Sequence, residues 1–211
     1  MSDGLVVRGV TKRFGARPVL DGVDLACAEP GVTAIFGGNG AGKSTLLAIL
    51  AGVMVPSGGE ALLDGKSLFA AATRRALGYV PEAADAPPHL LPDELVDLVA
   101  GLKRAPRPPE ALLDALGWSE LASRRIGALS LGQRRRACLA AALVGEPRLL
   151  LLDEPSNGLD HDRVGALVAL LRARAAGGGL VVLATHDEAL ADALGARRLR
   201  LANGRMMAPS P

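Results

Sequence analysis

The stretch AIFGGNGAGKSTLL constrains the fold more than any other part of the sequence, because it places a glycine-rich turn between an apolar strand-like run and a helix-forming run. Residues 37–44 match the pattern G-x-x-x-x-G-K-S, whose glycines let backbone N–H groups wrap around phosphate oxygens. The Lys43 ammonium would neutralise the β- and γ-phosphates, and the Ser44 hydroxyl would bind Mg²⁺. The residues expected to contact phosphate are Gly37, Gly38, Asn39, Gly40, Ala41, Gly42, Lys43, Ser44 and Thr45. The sequence therefore predicts a P-loop nucleotide site.

A second stretch, RLLLLDEP, ends an apolar strand-like run with two carboxylates, Asp153 and Glu154. On its own this pair could be a solvated strand end. Open α/β sheets bind ligands at the carboxyl ends of their strands, so the pair is expected to lie beside the phosphate loop. Asp153 would then hold Mg²⁺, and Glu154 would polarise the water that attacks the γ-phosphate.

Apolar runs alternate with helix-forming runs along most of the chain, which predicts an α/β core with a mainly parallel sheet. The continuous runs TAIF, RLLLLD and LVVLAT are typical of strands buried on both faces. The runs 5–7 and 19–25 predict an N-terminal antiparallel β flap. Asn203-Gly204 lies between two apolar runs and predicts a closing hairpin.

The pattern changes between residues 81 and 129, where no strand-like run occurs and prolines flank two short helical runs, 93–102 and 110–116. We expect a helical lobe, residues 83–136, inserted into a core made of residues 1–82 and 137–211. With 211 residues and 49% hydrophobic content, the chain is large enough to form one domain with a buried core.

Composition restricts the partners of this domain. Aromatic residues make up 2% of the chain and the formal net charge is +2, so stacking surfaces and a strong basic field are both lacking and no nucleic-acid partner is expected. No uncharged apolar run reaches 18 residues, so we expect no membrane-spanning helix. Cys27 and Cys138 lie in apolar stretches and are expected to be buried, reduced thiols.

The segment LSLGQRRR, residues 129–136, permits two interpretations. Ser130 with Gln133 three residues later forms a capping box that starts a helix. The N-terminus of such a helix is also a site for a phosphate. The three arginines that follow Gln133 point in different directions around a helix, which favours a solvated face over a nucleic-acid patch.

Together these motifs resemble the ATP-binding subunit of ABC transporters, in the order typical of that family and over nearly the whole chain. GGNGAGKST is similar to its phosphate loop, LSLGQ to its signature motif, and RLLLLDEP to its metal-binding and catalytic strand. SNGLD, residues 156–160, resembles its dimer-contacting loop, and LATHD places His186 where the family has its switch histidine.

The resemblance also implies roles for residues that carry no motif of their own. Phe14 would stack on adenine; the alternative is a surface or core aromatic. His186 would position the γ-phosphate and the attacking water, although an isolated histidine there is more often structural. The implied catalytic residues are Glu154, His186 and Lys43. The implied nucleotide contacts outside the phosphate loop are Phe14, Ser130, Gly132, Gln133 and Asp160.

Two residues depart from the family pattern. Glu82 stands where a glutamine is usual, which would place another carboxylate near Mg²⁺. The expected metal-binding residues are therefore Ser44, Asp153 and Glu82. Leu131 stands where the first of two signature glycines is common, but its side chain is not needed for phosphate contact.

The resemblance implies ATP and Mg²⁺ as cofactors, a second ATP-binding subunit in a homodimer, and an integral membrane permease on a separate polypeptide. Each ATP would lie between the phosphate loop of one chain and the signature of the other, at the cytoplasmic face of the membrane. The short chain and its variants at Glu82 and Leu131 resemble exporters. The main alternative is a soluble ABC-type ATPase that acts on nucleic acid, ribosomes or cofactor assembly. A third alternative, an unrelated P-loop kinase, is disfavoured because such an enzyme does not require the LSLGQ motif.

Overall fold

The computed structural model describes residues 4–207, which form two β-sheets with helices packed around them. The strands of the first sheet are β1 (Leu5–Phe14), β2 (Arg17–Cys27), β4 (Gly58–Leu63) and β5 (Lys66–Ser67). They are antiparallel and lie in the order β2-β1-β4-β5. The predicted N-terminal flap is confirmed, and β4 and β5, which sequence analysis missed, enlarge it.

The second sheet is the centre of the α/β core. Its strands are β3 (Gly31–Phe36), β6 (Leu77–Val80), β7 (Leu149–Asp153), β8 (Leu180–Ala184), β9 (Arg197–Ala202) and β10 (Arg205–Met207). They lie in the order β10-β9-β3-β8-β7-β6, and each neighbouring pair is parallel except β9 with β10. Asn203 and Gly204 form the hairpin turn with φ of 51° and 72°, as a two-residue turn of this kind requires. The mainly parallel sheet is confirmed.

Seven α-helices and two short 3-10 helices, Trp118–Glu120 and Ile126–Ala128, surround the sheets within the described residues. The α-helices are α1 (Lys43–Leu50), α2 (Ala71–Arg74), α3 (Pro92–Lys103), α4 (Glu110–Ala115), α5 (Leu131–Ala142), α6 (His161–Ala176) and α7 (Glu188–Leu194). The fully described segment between β6 and β7 contains α3, α4, α5 and no strand. Helix α5 runs without a break through residues 136 and 137, where sequence analysis divides lobe from core.

Short polar side chains start three of these helices. The Ser130 hydroxyl accepts a hydrogen bond from the Gln133 N–H at 3.2 Å, and Gln133 Oε1 accepts one from the Ser130 N–H at 2.9 Å. Asp160 and Asp187 cap α6 and α7 by accepting from backbone N–H groups three residues further on. These caps fix where the three loops that carry site residues end.

The second sheet is covered on both faces, and β7 shows how. All five of its residues are buried, and its side chains alternate between the faces. Leu149 and Leu151 belong to the apolar cluster that includes α1 and the first sheet, whereas Leu150 and Leu152 belong to the cluster that includes α5 and α6. Asp153 therefore emerges at the end of a strand that is held rigidly on both sides.

No helix within residues 4–207 is both long enough and apolar enough to cross a membrane. Cys27 and Cys138 are buried and free, as expected. Burial raises the pKa of both thiols, that of Cys138 to about 11. Both therefore stay protonated at neutral pH and are poor nucleophiles.

Candidate functional site

The phosphate loop joins β3 to α1, and Lys43 braces it from within. The side chain is buried, and its ammonium donates hydrogen bonds to the carbonyls of Gly37 at 2.7 Å and Gly38 at 3.5 Å. The Ala41 N–H donates to the Gly38 carbonyl at 3.1 Å. The loop is thus already curled around the N-terminus of α1, with the lysine charge at its centre.

Gly42, at the start of α1, cannot be replaced without strain. Its φ is 104°, in the left-handed region, and a Cβ atom there would lie 2.7 Å from Leu20 Cδ2 in β2. The first sheet therefore presses directly against the phosphate loop. This contact also brings Arg17 and Val19 of β2 to the site, which sequence analysis missed because neither belongs to a motif.

An open cleft of about 450 Å³ collects most of the predicted site residues. It is lined by the loop residues 38–45 together with Arg17, Val19, Glu82, Asp153 and Glu154. Parallel strands place their carboxyl ends at one edge of the sheet, which is why three separate segments meet here. Gly37 lies behind the cleft, where a Cβ would meet the Leu201 carbonyl at 2.4 Å.

Asp153 is the deepest carboxylate in this cleft, with 2% exposure. Burial raises its pKa; a hydrogen bond from Ser44 opposes that rise, and the nearby Glu82 and Glu154 charges add to it. Its Oδ1 atom is buried and has no hydrogen-bond partner among the described residues. A carboxylate oxygen left without a donor beside a serine hydroxyl fits a hard cation such as Mg²⁺.

The protein supplies only part of a metal's coordination shell at this place. Within residues 4–207 there is no group of three or more His, Cys, Asp or Glu side chains arranged to hold a metal ion. Magnesium usually keeps several waters and binds through one or two carboxylates plus substrate phosphates. The donor set of Ser44, Asp153 and the adjacent Glu82 suits that mode.

Glu154 lines the cleft and accepts a hydrogen bond from the His186 N–H, whereas His186 itself does not line the cleft. The Glu154 backbone has a φ of 47° in the left-handed region and is fixed by a 2.9 Å bond from its N–H to the Ala184 carbonyl. Its Oε2 lies 3.0 Å from His186 Nδ1 and 3.4 Å from the His186 N–H. Glu154 is 7% exposed, whereas the His186 side chain is 70% exposed. The buried Glu154 carboxylate therefore lies against the solvent-exposed imidazole ring of His186.

The predicted signature residues form a second, separate cluster. Ser130, Gly132, Gln133 and Asp160 line a pocket of about 260 Å³, together with Glu120, Arg136, Gly158, Leu159 and Arg163. Of the residues described, none lines both this pocket and the phosphate cleft. We call it the signature pocket. The two sets of predicted residues therefore line different pockets of the chain.

The signature pocket is built on a close contact between two glycines. A Cβ on Gly132 would lie 2.1 Å from the Gly158 carbonyl, so α5 begins in backbone contact with the 156–159 loop. Leu131 is 40% exposed, and its side chain lies beside Gly158, where a Cβ would be 3.5 Å from Leu131 Cγ. Glycine is needed at 132 for packing, whereas Leu131 is accommodated on the surface.

Phe14 does not line the cleft in the described structure. It is 50% exposed at the end of β1, and the Lys12 ammonium lies 5.1 Å from the centre of its ring. It pairs across the strands with Arg17, which does line the cleft. Adenine stacking by Phe14 stays a prediction.

The expectation of a solvated arginine face at 134–136 is wrong for two of its three residues. Arg135 and Arg136 are 3% and 7% exposed. Arg136 donates to the Leu116 carbonyl at 2.7 Å and to Glu120 at 3.0 Å. Buried carbonyls of neighbouring loops require donors, and long guanidinium groups supply them. Their burial could have been predicted from the sequence, because Arg135 and Arg136 lie on a helix whose following residues are apolar.

Comparison with known proteins gives consistent matches. The family described as "ABC transporter" matches residues 20–157. An aliphatic sulfonates import ATP-binding protein of Burkholderia cenocepacia is 41% identical over 97% of this chain and 63% of its own length. An Fe(3+) ions import ATP-binding protein of Rhodococcus jostii is 37% identical over 98% of this chain and 62% of its own. The chain thus spans less than two thirds of these relatives. Their names describe import, so the exporter expectation gains no support.

Solved structures agree over the whole described fold. A structure of an ATP-binding subunit of an ABC transporter superposes with a TM-score of 0.88 at 29% identity, covering 97% of this chain and 88% of that chain. A bacterial ABC transporter cassette solved as a dimer gives a TM-score of 0.84 at 26% identity, covering 97% of both chains. The same cassette, solved in a post-hydrolysis state with ADP and Pi, is 27% identical with the same TM-score and coverage.

Proposed function

Because this chain belongs to the ABC transporter family, we propose that it binds and hydrolyses ATP, and that hydrolysis powers transport by a separate membrane-spanning partner. One observation carries the proposal. Asp153 ends β7 and Glu154 follows it in the same cleft as the phosphate loop, and Glu154 accepts a hydrogen bond from the His186 N–H. A shielded carboxylate beside a phosphate site is what activation of water for phosphoryl transfer needs.

The phosphate cleft would bind ATP through its backbone and Lys43. The N–H groups of residues 38–45 and the N-terminus of α1 would hold the phosphates, and the Lys43 ammonium would exchange carbonyl bonds for phosphate oxygens. Thr45 would contact the α-phosphate, and Phe14 would stack on adenine from the edge of the first sheet. Ser44 and Asp153 would hold Mg²⁺, which neutralises charge on the β- and γ-phosphates when bound.

Glu154 is suited to act as the general base. Its carboxylate would accept a proton from a water as that water's oxygen bonds to the γ-phosphorus and ADP departs. The hydrogen bond that its Oε2 accepts from the His186 N–H, with His186 Nδ1 3.0 Å away, holds the carboxylate in place before substrate arrives. The exposed part of the His186 ring would contact the γ-phosphate.

The separate signature pocket supports a dimer as the active form. If two copies pair about a two-fold axis, the signature pocket of one copy meets the phosphate cleft of the other. Ser130, Gly132 and Gln133 would then place the free N–H groups of α5 against the partner's ATP, with Asp160 at the edge. ATP would close this interface and hydrolysis would release it.

We assign the membrane contact to the inserted lobe. In this division, residues 83–136 form the lobe that meets a permease, and residues 1–82 and 137–211 form the core. The protein would sit at the cytoplasmic face of the membrane as a peripheral subunit.

The test is phosphate release from ATP by the purified protein with and without Mg²⁺, combined with identification of proteins that purify with it from membranes. Magnesium-dependent release and a multi-spanning partner support the proposal. Recovery with ribosomes or nucleic acid would favour a soluble ATPase instead. Transfer of phosphate to an acceptor other than water would contradict hydrolysis.

Glu82 gives a prediction about the metal. Replacing Glu82 by Gln removes one negative charge from the cleft, so the Mg²⁺ concentration for half-maximal ATPase should rise about two- to tenfold. Asp85→Asn is the control, since Asp85 is an exposed carboxylate nearby that does not line the cleft. If the dependence of ATPase activity on Mg²⁺ concentration is unchanged in Glu82→Gln, Glu82 does not lie close to the bound metal.

A further inference from the structure

Arg135 is a buried cation that the proposed mechanism does not use. It lies on α5, five residues after Ser130, and is 3% exposed. Its Nη1 group donates to the Asn157 carbonyl and its Nη2 group donates to the Glu82 carbonyl. These two acceptors are 75 positions apart in the sequence, so one guanidinium joins segments that are otherwise distant along the chain.

The two segments belong to different pockets. Glu82 follows β6, where the chain leaves the core for the lobe, and it lines the phosphate cleft. Asn157 belongs to the 156–159 loop between β7 and α6. Its neighbour Gly158 lines the signature pocket and touches Gly132. Arg135 therefore stands between the cleft that would bind this chain's ATP and the pocket that would meet a partner's ATP.

Burial lowers the pKa of Arg135, and nearby carboxylates oppose that effect without cancelling it. Its guanidinium is attracted by Glu82, Glu154 and Asp153, which all line the cleft. Its Nε atom is buried without a hydrogen-bond partner among residues 4–207. Any role of Arg135 must account for its two hydrogen bonds to the Asn157 and Glu82 carbonyls.

We propose that Arg135 is a positioning residue that makes the placement of Glu82 in the phosphate cleft depend on the placement of the 156–159 loop at the signature pocket. A movement of either segment is carried to the other through the guanidinium or breaks one of its two hydrogen bonds. This proposal rests on the proposed function for its meaning in the ATP cycle. The physical link itself exists without nucleotide and can be tested alone.

Hydrogen exchange on the nucleotide-free protein tests the link. In Arg135→Gln, backbone amides of residues 82–85 and of residues 156–159 should both exchange about tenfold faster than in the wild type. Arg135→Lys keeps the charge but presents one ammonium, so it should give a smaller increase in both segments. If Arg135→Gln does not fold, the lysine variant carries this test.

Arg174→Gln is the matched control. The Arg174 guanidinium also donates to two backbone carbonyls, those of Pro147 and Glu146, but it lines neither pocket. Its loss should leave exchange at 82–85 and 156–159 unchanged. The proposal is wrong if Arg135→Gln loosens only one segment, or if Arg174→Gln loosens both to the same extent.

Steady-state kinetics test whether the link made by Arg135 affects ATP hydrolysis. Arg135→Gln should lower kcat for ATP about tenfold with KM changed less than about threefold, since the groups that bind phosphate remain while the ordering of the two pockets is lost. Arg135→Lys should restore part of kcat. An unchanged kcat in Arg135→Gln contradicts the proposal. Absence of ATPase activity in the wild type contradicts the proposed function and leaves the exchange experiment as the test of the link.

Discussion

Replacement of Glu154 by Gln is expected to lower ATP turnover at least about 100-fold, because a positioned general base contributes about 10²–10⁴ to the rate. ATP affinity should stay within about threefold of the wild type, since the amide has nearly the same shape and the phosphate-binding groups are untouched. Bound ATP would then persist, and the protein should accumulate as a dimer in the presence of ATP and Mg²⁺. The loss of ATP turnover and the accumulation of dimer would have the same cause, because in both cases the γ-phosphate is not removed.

Light scattering coupled to size exclusion measures the dimer directly. Glu188→Gln is the matched control, because Glu188 is an exposed glutamate at the start of α7 whose only recorded partner among the described side chains is Arg198. It should keep wild-type turnover and show no accumulation. A Glu154→Gln protein that binds ATP yet stays monomeric would contradict the head-to-tail dimer.

Replacement of Ser130 by Glu is expected to abolish turnover while ATP binding to the single chain remains measurable. The added carboxylate would occupy the signature pocket with a negative charge, against which a partner's γ-phosphate could not close. The phosphate cleft contains no residue of that pocket, so binding by the monomer should survive. Titration with a fluorescent ATP analogue at low protein concentration reports that binding separately from turnover.

Ser130 also caps α5, so the effect of charge must be separated from the effect of the cap. Asn and Asp are about as good as Ser at this position of a helix, and only Asp adds a charge. Ser130→Asn should therefore retain much more activity than Ser130→Asp at similar thermal stability. Equal losses in the two variants would mean that the serine acts through the cap, and loss of ATP binding in the monomer would place Ser130 in its own chain's site.

The parts of the site that lie close together in sequence were predictable. Lys43 and Ser44 follow their glycines within one loop, and Asp153 and Glu154 end an apolar strand, so local pattern and the rule for sheet edges bring them together. The caps at Asp160 and Asp187 were likewise predictable, because each joins residues only three positions apart. These features depend on interactions between residues that are close together in the sequence, so they can be predicted from one sequence.

Contacts between distant segments were not predictable. Arg17 and Val19 reach the cleft because the first sheet packs on the phosphate loop, and no local pattern in β2 signals this contact. The role of Arg135 depends on carbonyls in two remote loops, and a carbonyl carries no side-chain signature. Strands β4 and β5 were missed because GGEALL begins with two glycines and β5 has only two residues.

The carbonyl bonds of Lys43 have a consequence for how tightly a nucleotide can bind. A lysine that must be immobilised on binding loses rotamer freedom worth about 1.5–2 kcal/mol. Here the ammonium is already held at the carbonyls of Gly37 and Gly38, and its side chain is buried. Folding has therefore already met much of that entropic cost, and nucleotide binding still has to replace the two carbonyl hydrogen bonds of the ammonium with hydrogen bonds to phosphate oxygens.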